Sequence, residues 1–159
     1  DRFLMKLRVG YPTKAEERQI LDRMGDATEK TASDSVRPVL TPAQIVELQA
    51  LVRQLYADER IKGYLVELVA ATRDPRAYGL PELADFVQYG ASPRATLALL
   101  STARAHAFLQ GRGYVVPEDV KEVAPEVLRH RVLLSYEAEA ENVSSDQVVS
   151  RILERIEVP

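Results

Sequence analysis

The sequence predicts a mainly α-helical fold: a bundle of about six helices preceded by one strand at the N-terminus. Three observations carry this. Apolar residues recur at three- and four-residue spacing through most of the chain. Prolines 42, 93 and 117 stand at the starts of such segments, where the missing N–H costs nothing. A period of two occurs over residues 2–9, where Phe3, Met5, Leu7 and Val9 alternate with Arg2, Lys6 and Arg8.

Bulk composition narrows the class. The chain has 159 residues, 46% hydrophobic and 28% charged, with 21 basic and 24 acidic side chains for a net charge of −3. No strongly basic field is present to attract nucleic acid or anionic lipid, so neither partner is expected. Cysteine is absent, which excludes disulfides and thiolate-bound metal. With no Trp and 6% aromatic residues, the core must rest on Leu, Val, Ile and Ala. The chain opens at Asp1 directly into patterned sequence, which reads as a piece of a longer protein.

The elements follow in order. The strand over 2–9 ends at Gly10-Tyr11-Pro12. A lone strand is unstable, so this one should be disordered or paired with another copy of the chain. Thr13 caps a helix over about 14–24, with Glu16 and Glu17 in its first turn and Gly25 as a stop. Residues 26–38 are small and polar and read as a loop. Thr41-Pro42 starts a helix with Ile45, Leu48, Leu51 and Leu55 on one face. Another spans about 58–73, with Ile61, Leu65, Leu68 and Val69 inward, and stops before Pro75. Residues 75–91 hold one short helical turn. The longest helix runs over about 92–110, with Leu97, Leu100, Ala103 and Ala107 as its apolar stripe. Gly111 and Gly113 end it, and Tyr114 and Val115 are extended. A helix then begins near Pro117, with Glu118 and Asp119 in its first turn and Pro125 able to kink or split it. Residues 132–136 fit no single element. A last helix covers 144–157, with Val148, Ile152 and Ile156 spaced by four.

Few residues suggest chemistry. There is no GxxxxGK[ST], HExxH or GxSxG. His106 lies within the longest helix and suits a helix-face or core role. His130 sits between Arg129 and Arg131 near a helix end, where a basic cluster caps the last carbonyls. The acidic pairs 16–17 and 118–119 complement helix dipoles. Arg94 is the exception. Ser92 is a good N-cap and Pro93 suits the first helical position, so Arg94 falls where a cation opposes the dipole. Two readings stand: an exposed arginine tolerated at a cost of a few tenths of a kcal/mol, or an arginine that joins the free N–H groups of the first turn on one phosphate. On the second reading, Gly90-Ala91 would leave a ligand room to approach.

The segments "DRFLMKLRVGYP", "GASPRATLALLSTARAHAFLQGRGYVVPEDV" and "VLRHRVLLSYEAEA" resemble, in order and spacing, the MoxR group of AAA+ ATPases over nearly the whole chain. The resemblance implies that residues 1–12 are a strand of the nucleotide-binding core plus a hinge near Gly10–Thr13, and that residues 13–159 are the helical lid. It implies that Arg94, in the turn formed with Ser92 and Pro93, is a sensor-2 arginine on the γ-phosphate of the ATP of its own subunit. Arg2 would be an arginine finger acting across a ring interface. It further implies a cytoplasmic, chaperone-like, ring-forming parent, a hexamer, that uses ATP and Mg²⁺ on partner proteins such as those with von Willebrand A domains. The phosphate-binding loop and Mg²⁺-binding motif would lie upstream, so the piece alone should neither hydrolyse ATP nor hold a cofactor, and it supplies no metal ligands. The competing reading is a helical protein-interaction module with no nucleotide role.

Overall fold

The computed structural model describes residues 2–25 and 37–159. It contains two compact units, one of residues Asp1–Lys6 and Gln49–Pro159, the other of Leu7–Leu48.

In the smaller unit, α1 (Lys14–Gly25) starts as its sequence requires. The Thr13 backbone N–H donates to Glu16 Oε2 at 2.7 Å, and the Glu16 N–H donates back to Thr13 Oγ1 at 3.3 Å. This reciprocal cap satisfies two of the donors a helix start leaves open. Of the predicted loop over 26–38, residues 26–36 lie outside the described residues. The helix α2 (Pro42–Gln54) opens on the same device, with Thr41 and Gln44 in the reciprocal roles, and contributes residues to both units. Its predicted apolar face stays largely open. Ile45 and Leu51 are exposed, and only Leu55, one residue past the helix end, is buried. An amphipathic stripe registers a need for cover, and among the described residues little covers this one.

The larger unit carries the core. In α3 (Glu59–Arg73), Asp58 caps the first turn by accepting from the Arg60 N–H at 2.9 Å. Ile61, Leu65, Leu68 and Val69 are buried at the predicted spacing. A 3₁₀ turn (Pro75–Tyr78), α4 (Pro81–Ala84) and β1 (Val87–Tyr89) follow. Next come α5 (Pro93–Leu109), α6 (Pro117–Leu128), β2 (Leu133–Leu134), α7 (Tyr136–Ala140) and α8 (Ser145–Arg155). Helix α5 packs mainly on α6 and α3, and α8 closes the core against both of those. Tyr56 and Tyr114 form an isolated parallel bridge, so the extended reading at 114–115 holds. Pro125 does not split α6, which runs continuously past it.

The mainly α-helical class is as predicted, with eight α-helices among the described residues. Three local expectations are corrected. The stretch read as one helical turn contains both α4 and β1, and β1 pairs antiparallel with β2, in the ambiguous region 132–136. Leu97 is 68% exposed, because α5 turns Ala95, Ala98, Leu99, Thr102, Ala103 and Ala107 inward instead. Residues 2–9 form neither a strand nor part of a sheet. Among the described residues no strand pairs with them, and side chains just past the end of α6 satisfy part of this backbone.

Candidate functional site

The site is built around the start of α5. Between β1 and α5, the Ala91 N–H donates to Thr72 Oγ1 at 2.9 Å, and that hydroxyl donates to the Val69 carbonyl at 2.6 Å. This ties the start of α5 to the last turn of α3. Gly90 is required by the same packing: a Cβ there would lie 2.3 Å from the Thr72 carbonyl oxygen. The expectation that Gly90-Ala91 keeps a path open for a ligand is therefore corrected. Ala91 is buried, and the space beside Gly90 is filled by α3 backbone.

From that anchor the helix begins as predicted. Ser92 is the N-cap, its Oγ accepting from the Arg94 N–H at 3.3 Å, and Pro93 follows at the first helical position. Arg94 is exposed. It shares one face of α5 with Leu97, Ala98 and Ser101, and these residues line a groove of about 570 Å³. Arg2 and Leu4 line it from the N-terminal segment, and Arg131 lines it from beyond the end of α6. The structure thus brings Arg2 and Arg94 to one groove, while Ser92 and Pro93 shape the turn without lining it.

The N-terminal segment reaches the groove because the Arg129-His130-Arg131 run takes hold of its backbone. Arg131, 6% exposed, donates from Nη2 to the Phe3 carbonyl at 2.5 Å and from Nη1 to the Leu4 carbonyl at 3.1 Å. Its Nη1 also donates to the Val127 carbonyl in the last turn of α6. His130 Nε2 lies 3.0 Å from the Phe3 carbonyl, which can only accept, so Nε2 carries the proton of that bond. Arg129 Nη1 donates to the Lys6 carbonyl at 3.1 Å, and the Lys6 N–H donates to the Glu126 carbonyl at 2.8 Å. Burial pushes the His130 imidazole below its ordinary range, the Phe3 carbonyl opposes this, and nearby Arg131 and Lys6 add to it. Burial likewise lowers the Arg131 guanidinium. The predicted capping role for this cluster is only part of its work. Its wider function was not read from the sequence, although a charged run flanked by Val127, Leu128 and Val132 is a signal that one charge is buried.

A second polar cluster is internal. Asp119 is fully buried and receives a bidentate pair from Arg112, at 2.5 Å on Oδ1 and 2.6 Å on Oδ2. The Val116 N–H adds a bond at 2.9 Å, and His106 Nδ1 lies 2.7 Å from Oδ1. Burial pushes the Asp119 carboxyl up, but hydrogen bonds from Arg112, Val116 and His106 outweigh it and hold the group below the usual carboxylate range. The arrangement caps α6 and fastens it to the end of α5, so Asp119 and His106 serve structure, as their positions suggest.

The groove suits an anion. Three arginines line it and, among the described residues, no carboxylate does, while the Arg94 and Ala95 N–H groups of the first turn of α5 are taken by Ser92. These residues fit the phosphates of a nucleotide but offer nothing to Mg²⁺. Among the described residues no group of three or more His, Asp or Glu could hold a metal. Nor is any described helix long and apolar enough to cross a membrane.

Comparison with known proteins gives this geometry a context. Residues 83–152 match the AAA lid domain. The chain is 39% identical along its whole length to the chaperone MoxR1 of Mycobacterium tuberculosis, covering 41% of that protein. It is 37% identical to the protein YeaC of Bacillus subtilis, again along its whole length, covering 46% of it. A crystal structure of a protein provisionally named an ATPase, from Cytophaga hutchinsonii, superposes with a TM-score of 0.92 at 37% identity, over 99% of this chain and 47% of that one. The chain thus spans a little under half the length of the relatives it matches.

Proposed function

This chain belongs to the MoxR-type AAA+ proteins and carries their lid domain; from that premise we propose that its arginine groove faces the terminal phosphates of ATP and reports nucleotide state to the helices behind it. One observation carries the reading. Arg2 and Arg94, far apart in sequence, line the same groove.

ATP, when bound, supplies the phosphoryl group that is transferred. Arg94 acts as the sensor-2 residue, and its charge adds to that of the α5 N-terminus where the two meet the phosphate. Arg94 and the positive end of the helix dipole then stabilise charge on one group, and the local conflict between them is removed. Arg2 acts as the arginine finger. On that reading Arg2 acts across the ring interface on the ATP of the neighbouring subunit, and Arg94 on the ATP of its own. Positioned guanidiniums speed phosphoryl transfer by stabilising charge on the transferring oxygens. Loss of the γ-phosphate would release Arg94 and with it the pull on α5. Residues 1–12 read as the end of the nucleotide-binding core, and the exposed stretch Gly10–Thr13 is the hinge. In the ring-forming, Mg²⁺-dependent parent this movement would drive chaperone-like remodelling of partner proteins.

The test is steady-state ATP turnover by the full-length protein. Arg94→Ala and Arg2→Ala should each lower kcat at least tenfold. Turnover unchanged in Arg94→Ala would refute the sensor-2 assignment.

A further inference from the structure

The groove holds three arginines, and its composition alone would make all three phosphate ligands. The hydrogen bonds separate them. We infer that Arg131, assisted by His130 and Arg129, is a positioning clamp that holds Arg2 in the groove, and is not itself a ligand of the phosphate. This rests on the reading of Arg2 and Arg94 given above.

Arg131 is rooted in α6 through the Val127 carbonyl and spans two successive carbonyls of the N-terminal segment, Phe3 and Leu4. One guanidinium fork can do this, whereas a lysine ammonium is a single point of attachment. His130 bonds the Phe3 carbonyl as well, and Arg129 bonds the Lys6 carbonyl. All these acceptors are main-chain atoms just after Arg2, so the grip fixes the backbone and leaves the exposed Arg2 side chain available. Arg131 is 6% exposed, so a phosphate could reach its Nη atoms only by displacing the segment that carries Arg2. Arg94, in contrast, is exposed on the open face of α5. An extended segment ordinarily satisfies its backbone by joining a sheet. Here side chains take over that task, and the segment moves with α6.

The decisive variant is Arg131→Lys in the full-length protein, which keeps the charge and removes the fork. Hydrogen exchange read by mass spectrometry should show residues 2–6 exchanging at least fivefold faster, with α3 and α8 as protected as before. ATP turnover should lose kcat to about the level of Arg2→Ala, with KM for ATP changed less than twofold. Arg2→Ala/Arg131→Lys should be no slower than Arg2→Ala alone, whereas a general loss of stability would add to the first defect. A tenfold rise in KM with kcat retained would make Arg131 a ligand and overturn the inference, as would unchanged exchange at residues 2–6. If Arg2→Ala itself keeps full turnover, the phosphate reading has failed, and Arg131 then has no catalytic group to position. If Arg131→Lys does not fold, His130→Ala carries the same comparison, since it removes one bond to Phe3 and leaves Arg131 in place.

Discussion

Replacing Gly90 by alanine tests whether this glycine serves the fold or a ligand. An added Cβ would lie 2.3 Å from the Thr72 carbonyl oxygen, 2.5 Å from its carbonyl carbon and 2.7 Å from Arg73 Cα. An unstrained carbon–oxygen contact is at least about 3.3 Å, so the two backbones must part by roughly an ångström. All three obstructing atoms are backbone at the end of α3, so no side chain can swing aside. Parting them also stretches the bond from the Ala91 N–H to Thr72 Oγ1, now 2.9 Å. Overpacking of this kind costs about 1–3 kcal/mol, and the lost bond adds about 0.5–1.5 kcal/mol. The expected destabilisation is therefore roughly 2–4 kcal/mol, a fall in Tm of about 4–15 °C for a chain of this length. Urea unfolding followed by circular dichroism at 222 nm measures it directly, with an unchanged m-value confirming that the native state is still reached. Gly63→Ala is the control. That site lies within α3 with nothing within 4 Å of an added Cβ, so the change should stabilise by about 0.5–1 kcal/mol. A Gly90→Ala protein within about 0.5 kcal/mol of the parent would refute the packing argument and return Gly90 to the role of clearing a path for ligand.

Three further outcomes follow from the polar contacts. The Asp119 carboxyl is held below its ordinary value of 3.8, so its stabilising contribution is complete above that value and is lost as pH falls through the lower folded value; Asp119→Asn should flatten this acid limb in a pH series of thermal melts. His130 is held below its ordinary 6.5, so the fold gains from its neutral form above that pH and loses the gain as pH drops below it. Amide exchange at residues 3–6, corrected for intrinsic rate, should therefore quicken below about pH 6.5 in the parent but not in His130→Gln. Arg94→Ala should leave stability unchanged or raise it by about 0.3–1 kcal/mol, because it removes a cation from a helix start; a Tm drop of several degrees would show that Arg94 has a structural role.

Much of the fold was legible because its signals are local. The Thr13–Glu16 and Ser92–Pro93 starts depend on atoms within a few residues of each other, and each formed where the sequence placed it. The stripe of α3 was readable because that helix meets the core on one side. Helix α5 is covered by both α3 and α6, so small residues rather than the largest ones face inward, and Leu97 is left on the open groove. β1 and β2 are three and two residues long, too short for a period of two to show, and exist because residues far apart in sequence meet.

The sequence by itself determined the helical class, the helix starts, the choice of Arg94 as a cation out of place at a helix start and, through a resemblance to MoxR-type proteins, the choice of Arg2. Only the tertiary structure decided that those two share a groove, that Gly90 is a packing contact, and that residues 2–6 are held by Arg129, His130 and Arg131 instead of joining a sheet. The reason is physical. Alternating apolar residues state that a segment can lie extended with one face covered, but its hydrogen-bond partners are supplied by whatever else arrives, and here that was the end of α6, more than a hundred residues away in sequence.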